Sequence, residues 1–350
     1  MPVEVPLLKE KIVTAVLFAV VETDQGVSGY GLTSGAQRYG MKEFINRELA
    51  PFLRGKNPLE TERIWNQLFK TFNPRAQTGM WSSAVSAIDI ALWDIKGKHY
   101  KEPVWRLLGG AQNPVPSYVT FGLKQYTQEQ LVEVAKQVVA QGEKRIKMVV
   151  AVDPENPNMD AARVRAVREA VGDEVELMID ANYLFSFNRA LELCKLVEPY
   201  RITWFEEPVY QNDAALLADL RRHTSIPIAA GQNEGHRFRH RELIVNHAVD
   251  IAQPNVCSVG GYTEAVKVAA LAQAFNLPIA NGGGWPHHNM HLQAGMANGW
   301  RVEFHFEMWG VGDNIYKEPP APDHGWVTLP DTPGLGLEPR WDALKEFEET

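Results

Sequence analysis

At 350 residues, with 45% hydrophobic and 22% charged residues, the chain has the composition of a globular protein that buries a sizeable core. A net charge of −8 without a basic stripe argues against nucleic acid as a partner, and no apolar run is long enough to span a bilayer. Cys194 and Cys257 are the only cysteines, which excludes a disulfide framework. We expect a cytoplasmic protein.

The first third of the chain predicts a small α+β domain, residues 1–112. Residues 12–33 alternate and turn like a β-hairpin. The apolar run Ile12 to Val21 continues into a polar turn without a small-residue cleavage pattern, so it indicates a strand and not a signal peptide. From Met41 to Tyr100 the pattern is helical, and the pair Gly109-Gly110 ends the domain. One predicted helix face carries Ala84, Ile88, Ala91, Leu92 and Ile95.

After Pro114 the pattern alternates between strand and helix, which is typical of parallel βα units. Eight such units without a further domain break predict a (β/α)8 barrel over residues 113–310. Residues 311–350 contain a stretch rich in Pro and Gly, and we expect this segment to return to the N-terminal domain. The eight predicted strands begin near Pro116, Arg145, Val175, Ile202, Ile226, Val249, Pro278 and Arg301.

Three polar turns follow successive predicted strands, with their key residues at positions 180, 206 and 232. The C-terminal strand ends of a βα barrel meet at one end of the barrel, which we call the mouth. Oxygen ligands on these turns would therefore surround a hard cation, although each turn taken alone would more often be a helix N-cap or a solvated turn. The turns are Asp180-Ala181-Asn182, Glu206-Glu207-Pro208 and Gly231-Gln232-Asn233-Glu234.

Eight motifs are spread along the chain: Glu22-Thr23-Asp24-Gln25-Gly26, the segment Ala87 to Lys98, Leu107-Leu108-Gly109-Gly110, Asp180-Ala181-Asn182, Trp204-Phe205-Glu206-Glu207-Pro208, Asp250-Ile251-Ala252-Gln253-Pro254, Gly260-Gly261-Tyr262-Thr263-Glu264 and Pro333-Gly334-Leu335-Gly336-Leu337. Together they make the chain resemble the enolase superfamily, specifically its mandelate racemase subgroup, over nearly its whole length. The resemblance implies that the N-terminal domain caps the barrel. It also implies abstraction of a proton next to a carboxylate, with Mg2+ stabilising the enediolate during racemisation or dehydration of an acid sugar.

In that resemblance Asp180 and Glu206 match two metal ligands. Loops near Ser34 and Asn73 would close over the substrate, and a symmetric homo-oligomer is expected. Only five residues precede Pro6, where family members usually carry another strand, so a trimmed or rebuilt capping domain is expected. Asn182 and Tyr183, next to Asp180, are expected to contact the substrate.

Gln232 departs from the family pattern, which has Glu at this place. An amide oxygen can bind a metal, but the missing negative charge should weaken Mg2+ binding. Glu234 is two residues further on. It either compensates for the missing charge or is a solvated or helix-capping residue.

The family's catalytic bases are altered as well. Lys147 matches the lysine that grips the substrate carboxylate, but Val149 stands where the second lysine, the base, would face the same way. Asp250 is assigned as the partner of a catalytic His, yet Asn281 or Gly282 occupies the place of that His. His287 and His288 follow a permissive triple-glycine loop and either turn back toward Asp250 or serve structurally.

Glu303 matches a family carboxylate that hydrogen-bonds the substrate, and Asn281 is a further expected substrate contact. Two functions remain open from the sequence. The first is a divergent acid-sugar dehydratase or racemase, in which a residue other than the family bases takes the proton: Lys147, His287, His288 or Tyr183. The second is a catalytically silent relative that binds a carboxylate or a partner without turnover.

Overall fold

The computed structural model describes residues 1–72 and 78–349. In the capping domain, the long helix Met80–Tyr100 packs closely on the second strand of a β-hairpin. A Cβ on Gly29 or Gly31 of that strand would lie 2.1 Å from the Ala91 carbonyl oxygen or 1.8 Å from that of Ala87, so only glycine permits this approach. The elements are β1 (Pro2–Val3), β2 (Ile12–Val13), β3 (Val16–Glu22), β4 (Ser28–Ser34), α1 (Arg38–Phe44), a π-helix (Ile45–Leu49), α2 (Ala50–Leu53), α3 (Thr61–Phe72), α4 (Met80–Tyr100) and α5 (Val104–Leu107).

Eight parallel strands then form a closed barrel, in which the last strand pairs with the first. This confirms the predicted (β/α)8 barrel with an N-terminal α+β capping domain. The described residues include no helix long and apolar enough to cross a membrane. The barrel strands are β5 (Val115–Gly122), β6 (Arg145–Val149), β7 (Glu176–Asp180), β8 (Ile202–Glu206), β9 (Ile228–Ala230), β10 (Ile251–Ala252), β11 (Ile279–Ala280) and β12 (Gly299–His305).

A helix follows each barrel strand and covers the outside of the barrel, as the βα pattern predicts. Well-formed caps mark some helix starts; Thr127, for example, forms a capping box with Gln130 at the first helix. The helices are α6 (Gln128–Ala140), α7 (Pro157–Val171), α8 (Phe187–Val197), α9 (Ala214–Arg222), α10 (His236–Val245), α11 (Tyr262–Ala274), α12 (Pro286–Gly295) and α13 (Phe306–Ile315), with 3-10 turns at Glu198–Tyr200 and Tyr210–Asn212.

The C-terminal segment contacts both the barrel and the capping domain. Its strand Trp326–Val327 pairs antiparallel with β5 at the barrel end opposite the mouth. Leu335 donates its N–H to Asp94 in α4 at 2.9 Å, and Glu349 binds Arg38. The domain boundaries at residues 112 and 310 stay predictions. The segment contains β13 (Tyr316–Lys317), β14 (Trp326–Val327), β15 (Glu338–Pro339) and α14 (Trp341–Glu346).

The barrel interior is built in layers because alternate strand residues point inward. An apolar layer fills its middle and forms a hydrophobic cluster separate from the two other hydrophobic clusters of the fold. Two residues further along most of these strands, one step nearer the mouth, the inward side chains become polar. The apolar layer consists of Tyr118, Met178, Trp204, Ala229, Ile251 and Ala280.

Asp89 of α4 lies at the interface between the capping domain and the barrel. Its Oδ2 accepts the Thr263 N–H at 2.9 Å, whereas its buried Oδ1 has no hydrogen-bond partner. Burial raises the pKa of Asp89 to about 7, although the contacts with Thr263 oppose this rise. The folded protein therefore keeps a proton on Asp89 that the unfolded chain releases.

We expect Asp89→Asn to change how stability depends on pH. In the wild type the pKa of Asp89 is higher in the folded state, so the folded state becomes progressively less stable between pH 4 and pH 7. Below pH 4 Asp89 is protonated in both the folded and the unfolded state. The variant keeps the acceptor and loses the proton linkage. It should match the wild type near pH 4 and exceed it by up to about 4 kcal/mol near pH 7.

Urea unfolding at a series of pH values measures this difference, with Asp24→Asn at an exposed position as the control. A difference between Asp89→Asn and wild type that does not vary between pH 4 and pH 7 would contradict the linkage.

Candidate functional site

A buried lysine joins three acidic side chains at the barrel mouth. The Lys147 Nζ lies 3.1 Å from Asp180 Oδ2, 2.6 Å from Glu206 Oε1 and 2.8 Å from Glu303 Oε1, and the Lys147 side chain is 0% exposed. The four residues come from β6, β7, β8 and β12, so the barrel brings together positions that are distant in sequence. The sequence-predicted residues Lys147, Asp180, Glu206 and Glu303 therefore form one cluster.

One ammonium does not neutralise three carboxylates. Burial alone would lower the pKa of Lys147, but Asp180, Glu206 and Glu303 raise it well above its ordinary value, so the lysine stays protonated. Burial raises the pKa of Glu206 well above its usual range, and repulsion from Asp180 and Glu303 adds to this while Lys147 opposes it. The mouth therefore carries an excess of negative charge that favours a further cation.

The Gln232 amide is held in one orientation by Glu207. Gln232 Nε2 donates to Glu207 Oε2 at 2.6 Å, and Asn212 Nδ2 donates to the other Glu207 oxygen at 2.8 Å. With its nitrogen used in this way, the Gln232 Oε1 points elsewhere and is buried without a partner. Burial, with a contribution from Asp180, raises the pKa of Glu207 to about 8.

Gly282 leaves room where several of these groups converge. A Cβ at this position would lie 2.7 Å from Glu206 Oε1, 2.8 Å from Gln232 Oε1 and 2.9 Å from Gln253 Nε2. Any larger residue would press on all three atoms. A glycine at position 282 therefore preserves open space at the mouth.

These groups fit a divalent cation. Asp180, Glu206 and Gln232 offer two carboxylates and one amide oxygen, which are the hard donors that Mg2+ takes. The unpartnered Gln232 Oε1 and the space beside Gly282 agree with this use. Within residues 1–72 and 78–349, no three His, Cys, Asp or Glu side chains are grouped to hold a metal by themselves. Glu234 instead pairs with Arg239 at 3.0 Å.

The predicted role of Asp250 at the mouth is wrong. Asp250 precedes β10 and so lies at the opposite end of the barrel. Its carboxylate accepts from Arg221 Nε at 2.7 Å and from the N–H of Ile228, the first residue of β9, at 2.9 Å. The polar side chains that follow β10 toward the mouth are Gln253 and Asn255, and neither can serve as an acid or a base.

The prediction that His287 or His288 turns back toward Asp250 is also wrong. Both side chains are 2% exposed within α12 and face the C-terminal segment. His287 Nε2 lies 3.1 Å from the Pro320 carbonyl oxygen, and His288 Nε2 lies 3.1 Å from the Tyr316 hydroxyl. Burial lowers the pKa of His287 to about 4 and that of His288 to about 3, so both stay neutral in structural positions.

The remaining predicted substrate contacts lie in different settings. Asn182 and Tyr183 follow β7 beside the cluster in left-handed backbone conformations, and the Asn182 N–H donates to Asp180 Oδ1 at 2.8 Å. Asn281 is fully buried and bonded to the N–H of Glu303 and the carbonyl of Gly284. Their contact with a substrate stays a prediction. Asn73 lies outside the described residues.

The sequence assigned no individual role to four residues of the mouth: Thr120, Glu207, Gln253 and His305. Thr120 donates its hydroxyl to Glu303 Oε1. His305 is two residues beyond Glu303 on β12, so its half-buried ring shares the inward face. Burial alone would raise the pKa of Glu303, but Lys147 and, after it, His305 lower it. Thr120 and Gln253 each lie two residues after an inward apolar residue, Tyr118 or Ile251, so strand alternation was the signal that could have identified them.

Two family profiles match the chain. Residues 8–109 match the mandelate racemase / muconate lactonizing enzyme N-terminal domain, and residues 130–343 match the enolase C-terminal domain-like family. Together they cover the capping domain and most of the barrel.

Named relatives are similar over nearly the whole chain. Arabinonate dehydratase from Saccharolobus solfataricus is 31% identical over 94% of this chain and 89% of its own length. D-galactarolactone cycloisomerase from Agrobacterium fabrum is 33% identical over 93% of this chain and 89% of its own. The crystal structure of L-talarate dehydratase from Polaromonas sp. JS666, complexed with Mg and L-glucarate, has a TM-score of 0.86 and 30% identity over 97% of this chain and 93% of that chain. The chain therefore belongs to the enolase superfamily, in its mandelate racemase/muconate lactonizing enzyme subgroup.

Proposed function

We propose that this protein is a Mg2+-dependent enzyme that acts next to the carboxylate of an acid sugar or related hydroxy acid, most simply as a dehydratase. The observation that carries the proposal is the buried contact of Lys147 with Asp180, Glu206 and Glu303 at the mouth. Similarity to an arabinonate dehydratase and to a D-galactarolactone cycloisomerase supports it. Racemisation or epimerisation is an alternative outcome of the same first step.

Asp180, Glu206 and Gln232 would hold the metal. When bound, Mg2+ supplies positive charge that stabilises the carboxylate oxygens as negative charge develops on them. Lys147 has the one ammonium in the cluster and is assigned to bind the substrate carboxylate. Glu303 is assigned to hydrogen-bond a substrate hydroxyl, a contact it makes at present with Thr120.

The two positions that the resemblance assigns to a base hold Val149 and either Asn281 or Gly282. None of these three side chains can take up a proton. Proton transfer is assigned to His305 instead. The other nine histidines do not lie on the inward strand face at the mouth. The His305 Nδ1 accepts the Glu307 N–H at 3.3 Å, so its Nε2 is the nitrogen left for a ligand.

The test incubates the purified protein with a panel of acid sugars in deuterated buffer that contains either Mg2+ or EDTA. Proton NMR records turnover. Loss of the α-proton signal or formation of a keto-deoxy acid in Mg2+ alone is expected. Asp180→Asn should abolish either change. Carboxylate binding without exchange or product across the panel would favour the silent relative and overturn the enzymatic function.

His305→Asn is expected to lower turnover about 100-fold or more, the range of general acid–base catalysis. Asparagine is a good N-cap residue, so the start of α13 should be kept and the melting temperature should change little. His324→Asn, at an exposed position, is the control. Unchanged turnover in His305→Asn would remove this residue from the mechanism.

A cytoplasmic location and a homo-oligomeric assembly are further parts of the proposal and stay predictions. Acid-sugar carboxylates are the proposed small-molecule partners. Nucleic acid and membrane partners are not expected.

A further inference from the structure

Gln253 is a buried amide that has no hydrogen-bond partner. Its side chain is 0% exposed, and both its Nε2 and its Oε1 are unpaired. It lies two residues beyond the inward Ile251, so it belongs to the polar layer at the mouth. Buried amides in folded proteins are nearly always hydrogen-bonded, so this one requires an explanation.

The neighbouring asparagines have no such deficit. Asn281 accepts from the Glu303 N–H and donates to the Gly284 carbonyl, each within 3.0 Å. Asn255 donates to the Gly282 carbonyl and accepts from Asn289 and from the Cys257 N–H. Asn289 donates to Asn255 and accepts from the Val256 N–H. The unpaired state is therefore specific to Gln253 within this group, and poor local packing does not explain it.

Gln253 lies against the proposed metal-binding residues. A Cβ on Gly282 would lie 2.9 Å from Gln253 Nε2 and within 2.8 Å of both Glu206 Oε1 and Gln232 Oε1. Gln253 follows the inward Ile251 by two residues, as Glu206 follows the inward Trp204, so the two side chains lie in one layer. Glu206 of this layer contacts Lys147 at 2.6 Å. A ligand that reaches Lys147 also reaches the layer of Gln253.

We propose that Gln253 binds a hydroxyl group of the substrate, with the amide donating from Nε2 and accepting at Oε1. This deepens the proposed function and rests on it. A hydroxyl both donates and accepts, which matches the two unpaired atoms of one amide. A carboxylate would satisfy only the donor, and an apolar group would satisfy neither. Gln253 therefore selects hydroxylated acids over acids of the same length without hydroxyls.

The test uses L-tartrate and succinate, two four-carbon diacids that differ by two hydroxyls, titrated calorimetrically in saturating Mg2+. Wild-type protein should bind tartrate about tenfold or more tightly than succinate. In Gln253→Met, which keeps the side-chain length, the affinity ratio should fall about threefold or more, and the contact assigned to Glu303 should keep the remainder. The melting temperature should stay the same or rise, because an unpaired buried amide has been removed.

Gln293→Met is the matched control. Gln293 is equally buried, but its Oε1 accepts the Trp300 N–H at the other end of the barrel, which leaves only its Nε2 unpaired. This variant should lower the melting temperature and keep the tartrate preference. If Gln253→Met does not fold, Gln253→Leu takes its place.

Two results would overturn the proposal in distinguishable ways. An unchanged tartrate preference in the Gln253 variant would show that the amide only holds water, and the proposed function would stand. If wild-type protein binds neither diacid in the presence of Mg2+, both the role of Gln253 and the proposed function fail.

Discussion

Exchanging the residues at positions 207 and 232, in the double variant Glu207→Gln with Gln232→Glu, is expected to strengthen Mg2+ binding about tenfold or more. The reason is the 2.6 Å contact in which Gln232 Nε2 donates to Glu207. The double variant keeps one donor and one acceptor in this contact while it gives the metal a third carboxylate.

The single variants should behave differently. Glu207→Gln leaves one acceptor oxygen for two donors, Gln232 and Asn212, so Gln232 is held less firmly. Mg2+ affinity should then fall about tenfold, as is usual when a residue that orients a metal ligand is lost. Gln232→Glu alone places two carboxylates against each other, so it should gain less affinity than the exchange.

Isothermal titration of the four proteins with Mg2+ measures these effects. Glu143→Gln, a buried carboxyl at the barrel end opposite the mouth, is the control and should bind as the wild type does. Wild-type affinity in Glu207→Gln, or an exchange variant as weak as that single variant, would contradict the orienting role of Glu207.

Lys147→Met is expected to lower the free energy of unfolding by about 3–5 kcal/mol in EDTA, because three buried carboxylates lose their common ammonium. Mg2+ should restore part of this loss, since a divalent cation can replace the missing positive charge. The same variant should lose nearly all affinity for carboxylate ligands.

Urea unfolding with and without Mg2+ measures the effect on stability, and titration with L-tartrate measures the effect on carboxylate binding. Lys136→Met, at an exposed position on α6, is the control and should change neither quantity. A Lys147→Met protein as stable as the wild type in EDTA would show that the ammonium does not compensate the cluster.

The barrel and its central carboxylates could be predicted because each signal is local. Buried parallel strands are apolar runs that end in turn residues, and Asp180 and Glu206 are the last residues of their strands. The contact between Glu207 and Gln232 could not be predicted in the same way. It depends on the left-handed backbone of Glu207 and on the spacing between two strands. No sequence pattern predicts either feature.

The error at Asp250 arose from a short strand. β10 has only two residues and polar side chains on both sides, so the pattern did not decide which polar residue faces the mouth. The three glycines at positions 282–284 suggested that His287 and His288 lie on a flexible loop. Pro286, which is favoured at the first position of a helix, was the overlooked signal that α12 begins there.

The contact between Leu335 and Asp94 has a consequence for the order in which the protein assembles during translation. The two residues are 241 positions apart, so α4 leaves the ribosome long before its partner is made. Until then the Asp94 carboxylate has only Tyr30 and Lys98 to satisfy it. The capping domain, although synthesised first, is completed last, and a nascent chain stalled before residue 335 carries an unfinished first domain.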